Sequence, residues 1–196
     1  MSRYPRDHKD RTRAKILDAA GRLFRHGGYS AVGLATVMQE AGLTVGGFYA
    51  HFPSKEALFT EVLARTLSET RRLVDNASQA GEGRTFVVEL ARQYLSRTHR
   101  DAVEHGCPLP ALATEIARQS AETRAEFDGF YVELLQAFES HLPEWQVDQG
   151  AARDRAIALL ALFVGGMVFA RAAKSEKLSD RILLACRRHA AIGMST

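Results

Sequence analysis

Apolar residues recur along this chain at three- and four-residue spacing. No stretch alternates apolar with polar positions between Asn-Gly or Asp-Gly turns, so the pattern predicts helices and no strand. Ile16, Leu17, Ala20, Leu23 and Phe24 form the buried stripe of a first helix over about 12–26, which Gly27-Gly28 ends. Two very short helices follow, over about 34–40 and 44–50, separated by Ala41-Gly42-Leu43. Leu34, Val37 and Met38 share one face of the first, and Leu43 and Phe48 complete a small core with Phe24; Phe48 and Phe52 read as core residues. Two helices of under ten residues joined by a glycine-containing turn make a helix-turn-helix unit. Phe52-Pro53 closes it, and Ser54 is placed to cap a long helix reaching about residue 77, with Ala57, Leu58, Val62, Leu63 and Leu67 facing inward.

The remaining pattern predicts a second unit beyond Gly81-Glu82-Gly83. It contains a helix over about 84–104, a break at Gly106-Cys107-Pro108-Leu109-Pro110 where two prolines exclude regular helix, and a short helix over about 111–118. A long helix over 121–140 carries Phe127, Phe130, Tyr131, Leu134, Leu135 and Phe138 on one face. Asp148 is placed to cap a helix over 149–174, and Ser179 a last one over 180–192. The expectation is an all-α chain of about nine helices: a three-helix head (1–53), a connecting helix (54–80) and a body (81–196). The run Ala156–Ala170 is apolar for 15 residues between Arg155 and Arg171. That is shorter than the ~20 residues a membrane span needs. It is apolar around its whole circumference, and with Gly165-Gly166 inviting a close backbone it predicts, together with the last helix, a four-helix seam between two copies.

Charge adds a partner. The chain of 196 residues carries a net +3, but residues 1–60 hold nine basic and five acidic side chains, and the rest is slightly negative. A basic head on a near-neutral body points to an anionic partner, nucleic acid or a membrane surface. The first helix mixes both signs on its polar face, which fits a helix-turn-helix better than a membrane-lying helix. Cys107 and Cys186 are 79 positions apart and read as free thiols of a reducing cytoplasm. The alternative of an enzyme built on a small-molecule-binding helical body finds no HExxH, no glycine-rich phosphate loop and no GxSxG; nor do the histidines cluster as metal ligands. No cofactor or metal is expected.

The most specific segment is Gly42–Leu58. The Thr44 hydroxyl is placed to cap the second short helix and to donate to a phosphate. Gly46 and Gly47 each cost about 1 kcal/mol inside a helix, a cost tolerated where a large object approaches the backbone, as a DNA groove does. Tyr49 and His51 add donors and Lys55 a point charge. With Arg13-x-x-Ile16-Leu17-x-Ala19-Ala20, Gly28-Tyr29, Glu40-Ala41-Gly42-Leu43-Thr44 and Tyr49-x-His51-Phe52-x-x-Lys55-x-x-Leu58, the stretch from Thr12 to Leu63 resembles the N-terminal domain of the TetR family of bacterial transcriptional regulators. The resemblance implies a homodimer that binds an operator in double-stranded DNA, with a helical body for a small effector, most often acting as a repressor. It implies phosphate contacts at Thr44, Tyr49, His51 and Lys55 and base edges facing Val45, Gly46 and Gly47, with Arg3, Arg6 and Arg11 reaching a neighbouring groove. Gly33 stands where many members carry Ser or Thr, and Ala50 where many carry Tyr or His, so contacts at those two positions do not transfer.

A second constellation, Gly106-Cys107-Pro108-Leu109-x-x-Leu112-x-x-Glu115, resembles the electrophile-sensing subset of that family that includes the repressor of N-ethylmaleimide reductase. Cys107 is thus a candidate effector or redox residue, and a helix start or a nearby cation is expected to lower its pKa. The opposing reading is a small buried thiol that fills space. Cys186 reads as packing, and Glu115 as an ordinary partner of Arg118 or Arg124. Phe127 and Tyr131 are the pocket candidates.

Overall fold

The computed structural model describes residues 6–192, with side chains from residue 8 onward; Arg3 and the side chain of Arg6 therefore lie outside the described residues. Nine α-helices and three short 3-10 segments make up the described fold, with no strand among them. Helix α1 (Arg6–Gly27) begins six residues before the expected start. Thr12 sits inside it, its hydroxyl donating to the His8 carbonyl at 2.8 Å. Gly28, at φ 84°, takes the left-handed turn that ends α1, and α2 (Leu34–Glu40) follows. The expected second short helix is a 3-10 segment, Val45–Ala50, and Thr44 occupies its N-cap without making a side-chain bond to it. Two glycines within six residues give α-helix too little propensity to win over the tighter turn. Helix α3 (Lys55–Ser78) starts as expected, the Ser54 hydroxyl accepting from the Ala57 amide at 3.0 Å.

The body comprises α4 (Gly83–Tyr94), α5 (Arg97–Asp101), a 3-10 turn (Val103–His105), α6 (Leu109–Ile116), α7 (Ala121–Glu139), a second 3-10 turn (Pro143–Gln146), α8 (Gln149–Ala172) and α9 (Glu176–Ala190). Three expectations are corrected. The helix expected over 84–104 breaks at Leu95, because Ser96 starts α5 by accepting from the His99 amide at 3.1 Å. The prolines at 108 and 110 begin α6 instead of excluding helix, since the first turn has no use for the missing N–H. Ser175, not Ser179, caps α9; the buried Ser179 hydroxyl donates to the Ala170 carbonyl at 2.7 Å and ties α9 to α8. The apolar run is also longer as a helix than as an uncharged string. All 24 residues of α8, with an 18-residue window of mean hydropathy 1.7, are long and apolar enough to cross a membrane by length and composition. One face of α8 packs in the body core, where Leu159, Leu160, Phe163 and Met167 are buried and the helix contacts α7 and α9.

Among the described residues there are two buried cores, and α3 and α6 contribute buried side chains to both. Leu58, Phe59, Val62 and Leu63 of α3 belong to the head core with Ile16, Phe24, Met38, Phe48 and Phe52, while Leu67, Val74 and Ala77 of the same helix belong to the body core. Helix α6 makes the second link. Its Leu109 packs in the body, but Leu112 and Ile116 are buried in the head core.

Candidate nucleic-acid interface and body cavity

Phe48 and Phe52 lie fully inside the head and stack on each other, anchoring the 3-10 segment from within. What remains outside is the edge expected to carry recognition. Thr44, Val45, Gly46 and Tyr49 are exposed, Tyr49 by 68%; Gly47, His51 and Lys55 are half-buried. Neither glycine is needed by the fold. A Cβ on Gly46 would meet nothing within 4 Å, one on Gly47 only the tip of Met38 at 4.0 Å, and neither has a positive φ. The Lys55 ammonium is held inside the head, donating to the Tyr29 carbonyl at 2.6 Å and lying 4.3 Å from the Tyr29 ring centroid; burial lowers its pKa. His51 has a buried Nδ1 without a partner, and burial, with Lys9, Arg13 and His8 around it, pushes its pKa down. The exposed Lys9 thus joins this face, a residue that the linear sequence offered only as one more charge near the N-terminus.

In the body, α3, α4, α5 and the turn before α6 line a cavity of about 310 Å³ that opens to the surface, with Thr66, Thr70, Gln93, His99 and Cys107 in its wall. The Gly-Cys-Pro-Leu motif has a structural task here. Gly106 leaves room for the His99 ring, whose atoms a Cβ would meet at 2.6 Å; the Cys107 amide donates to His99 Nε2 at 3.1 Å; Pro108 opens α6; and Leu109 enters the body core. The His99 Nδ1 donates in turn to the Tyr94 carbonyl at 2.7 Å, which fixes a neutral imidazole. The expected lowering of the Cys107 pKa is reversed. Burial pushes the thiol up, and Tyr94, the Leu109 backbone and Thr70 offset only part of that. Phe127 and Tyr131 stack on one another at 5.7 Å on α7 and are not in the wall of this cavity. Cys186 packs as expected, its Sγ where a Cβ on Gly166 would stand at 2.7 Å.

Two sequence profiles match the chain: "Bacterial regulatory proteins, tetR family" over residues 16–62, and "Transcriptional regulator LmrA/YxaF-like, C-terminal domain" over residues 84–182. The chain belongs to the TetR family. It is a DNA-binding transcriptional regulator with a helix-turn-helix head. The HTH-type transcriptional regulator LmrA of Bacillus subtilis is 29% identical over 171 residues, 84% of this chain and 89% of LmrA. The HTH-type transcriptional repressor NemR of Escherichia coli is 26% identical over 171 residues, 84% and 86% of the two chains. Among solved structures, reduced NemR of E. coli superposes with a TM-score of 0.77 at 21% identity, covering 95% of this chain and 98% of that one. A TetR-family regulator from Agrobacterium tumefaciens gives 0.75 at 22%, covering 96% and 100%.

In this TetR-family regulator the head and body are also joined by polar contacts. Glu115 of α6 does not pair with Arg118 or Arg124; it accepts from the Ser30 amide at 3.1 Å and stands where a Cβ on Gly28 would lie 2.6 Å from its Oε1. Glu56 at the start of α3 accepts from the Ser120 amide at 3.2 Å and the Thr123 hydroxyl at 2.8 Å, and the Ser120 side chain, with Thr123 and the Ser120 amide, lowers the pKa of its carboxyl. Arg25 at the end of α1 donates to the Glu104 carbonyl at 2.7 Å. Nothing in this set was legible from spacing, because each pair joins residues 60 or more positions apart.

Proposed function

We propose that this regulator is a homodimeric repressor whose two heads enter successive major grooves about 34 Å apart on a near-palindromic operator. The observation that carries this reading is the pair Gly46 and Gly47. With no internal contact and no unusual backbone to require glycine, their smallness serves something outside the chain. Val45, Gly46 and Gly47 face base edges, while Thr44, Tyr49 and His51 donate to phosphates; Lys55 supplies positive charge, and reaches a phosphate by leaving the Tyr29 carbonyl. Domain roles follow: head 1–53, link 54–80, and body 81–196 for effector and partner. The dimer seam lies on α8 and α9, where Ile157, Val168, Phe169 (67% exposed) and Leu178 (54% exposed) leave apolar surface uncovered. Such a protein acts where the genome is, in the cytoplasm, and performs no catalysis.

A small-molecule effector enters the body cavity and shifts the population towards the arrangement it binds better, the one incompetent for DNA. In a second reading the effector is an electrophile and Cys107 the trigger, as in the subset whose Gly-Cys-Pro-Leu motif this chain resembles. The thiol's place in the cavity wall favours this reading, and its raised pKa makes the reaction slow. Footprinting the purified protein on its own promoter, across a salt series and with or without N-ethylmaleimide, tests these readings together. Two protected half-sites with a steep loss of affinity on added salt are expected. A stable monomer, or specific binding indifferent to salt, refutes the dimeric repressor. Unchanged release in Cys107→Ser refutes the thiol trigger and leaves a non-covalent effector.

A further inference from the structure

Between α1, α3 and the 103–105 turn lies a second, smaller compartment of about 180 Å³. It shares Thr66, Glu69 and His105 with the 310 Å³ cavity, so the two adjoin. Its charged wall is unbalanced. Arg22 is paired with Glu40 at 2.9 Å, and Arg65 takes both Asp18 and, at 3.7 Å, Glu69. Arg25 is only 6% exposed, has no carboxylate within salt-bridge distance among the described residues, and donates from Nε and Nη2 to a single carbonyl, that of Glu104. Its Nη1 has no hydrogen-bond partner among the described residues, and Glu69, the carboxylate whose charge acts on it, is also taken by Arg65. A buried cation normally finds an anion or gives up its charge, and a guanidinium gives up its charge only with great difficulty.

We infer that this compartment is an oxyanion site, and that the effector is a small organic acid whose carboxylate seats against Arg25 while its apolar remainder occupies the adjoining cavity. A carboxylate matches the planar fork of the guanidinium and completes its donor set. The location supplies the regulation. Arg25 belongs to the head, Glu69 to the linking helix and His105 to the body, so an anion lodged among them has a different affinity for each angle between head and body.

The inference rests on the reading of the chain as an effector-responsive regulator, and its test separates the two. Sodium benzoate, benzyl alcohol and sodium phosphate are titrated at matched ionic strength into the full-length protein, with thermal stability and operator affinity as readouts. Benzoate is expected to raise Tm and to weaken operator binding at least tenfold at millimolar concentration, and benzyl alcohol to do neither. Arg25→Gln loses at least tenfold in benzoate affinity. Glu69→Gln, which removes an opposing negative charge from the wall, gains several-fold and keeps the proposal testable if the first variant fails to fold. Benzoate acting no better than benzyl alcohol, equal benzoate binding by Arg25→Gln, weaker binding by Glu69→Gln, or phosphate releasing the operator as well as benzoate does would each overturn it. A protein that binds its operator yet ignores benzoate sinks the organic-acid site alone, whereas failure to bind any operator sinks the underlying reading.

Discussion

Removing the Leu112 side chain tests the most consequential feature of the packing, that a helix of the body seals the head. Leu112 is fully buried and, with Ile116 of the same helix, enters a core otherwise built from α1, α2, the 3-10 segment, the first half of α3 and the loops between them. Leu112→Ala removes three side-chain carbons from that core, and buried Leu→Ala changes cost about 2–5 kcal/mol, depending on how far the site collapses. Collapse is hindered here. The rings of Phe24, Tyr29 and Phe59 in and against the same core pack edge-on or tilted on each other at centroid spacings of 5.6, 5.7 and 4.4 Å, and a shift of one disturbs the other two. A cost of about 3 kcal/mol follows, which for a chain of this size lowers Tm by about 6–12 °C. Calorimetry measures the shift, and urea unfolding followed both by circular dichroism and by the fluorescence of Trp145, the single tryptophan, which lies in the body, shows whether head and body unfold together. Leu112→Met, which conserves volume, is expected to cost less than about 1.5 kcal/mol. A Tm drop below about 2 °C for Leu112→Ala would show that α6 does not hold the head, and the account of head–body coupling would fail with it.

Three further outcomes are expected. Gly46→Leu leaves Tm within about 2 °C of wild type, since the site is open on every side, but lowers operator affinity at least a hundredfold by gel shift; retained affinity would remove the groove from the argument. Phe169→Glu converts dimer to monomer in sedimentation velocity without loss of helicity, and an unchanged dimer would place the seam elsewhere. The third concerns pH. Burial holds His99 below its ordinary value of 6.5, so as pH falls through that value the unfolded chain takes up a proton that the folded chain resists, and stability declines with falling pH. His99→Gln removes this contribution, and its stability profile between pH 7 and pH 5 should be flatter than that of wild type; superimposable profiles would refute the neutral clasp on Cys107.

Much of the fold is local and was therefore open to reading from the chain. Apolar spacing located α2, α3, α6, α7, α8 and α9 to within four residues at each end, and Ser54 and Asp148 capped where expected because an N-cap bond closes over three residues. The helix-turn-helix, the buried Phe48 and Phe52 and the exposed Tyr49 edge follow from the same short-range rules. The failures also have local causes. Leu95 carries no sign that Ser96 will outcompete helix continuation, and Ser179 looks like a cap until Ala170 is seen beside it.

Linear order by itself determined the helical class, the helix-turn-helix segment and its family, and a basic head on a neutral body, because periodicity, capping and net charge are properties of neighbours in sequence. Tertiary structure decided the rest. It put α6 into the head core, buried the Cys107 thiol so that its pKa rises where the motif suggested a fall, and gave Glu115 to Ser30. It also buried Arg25 with its Nη1 lacking a hydrogen-bond partner among the described residues. Each of these depends on which distant side chains share a volume, and desolvation and ion pairing are set by that volume, not by spacing along the chain.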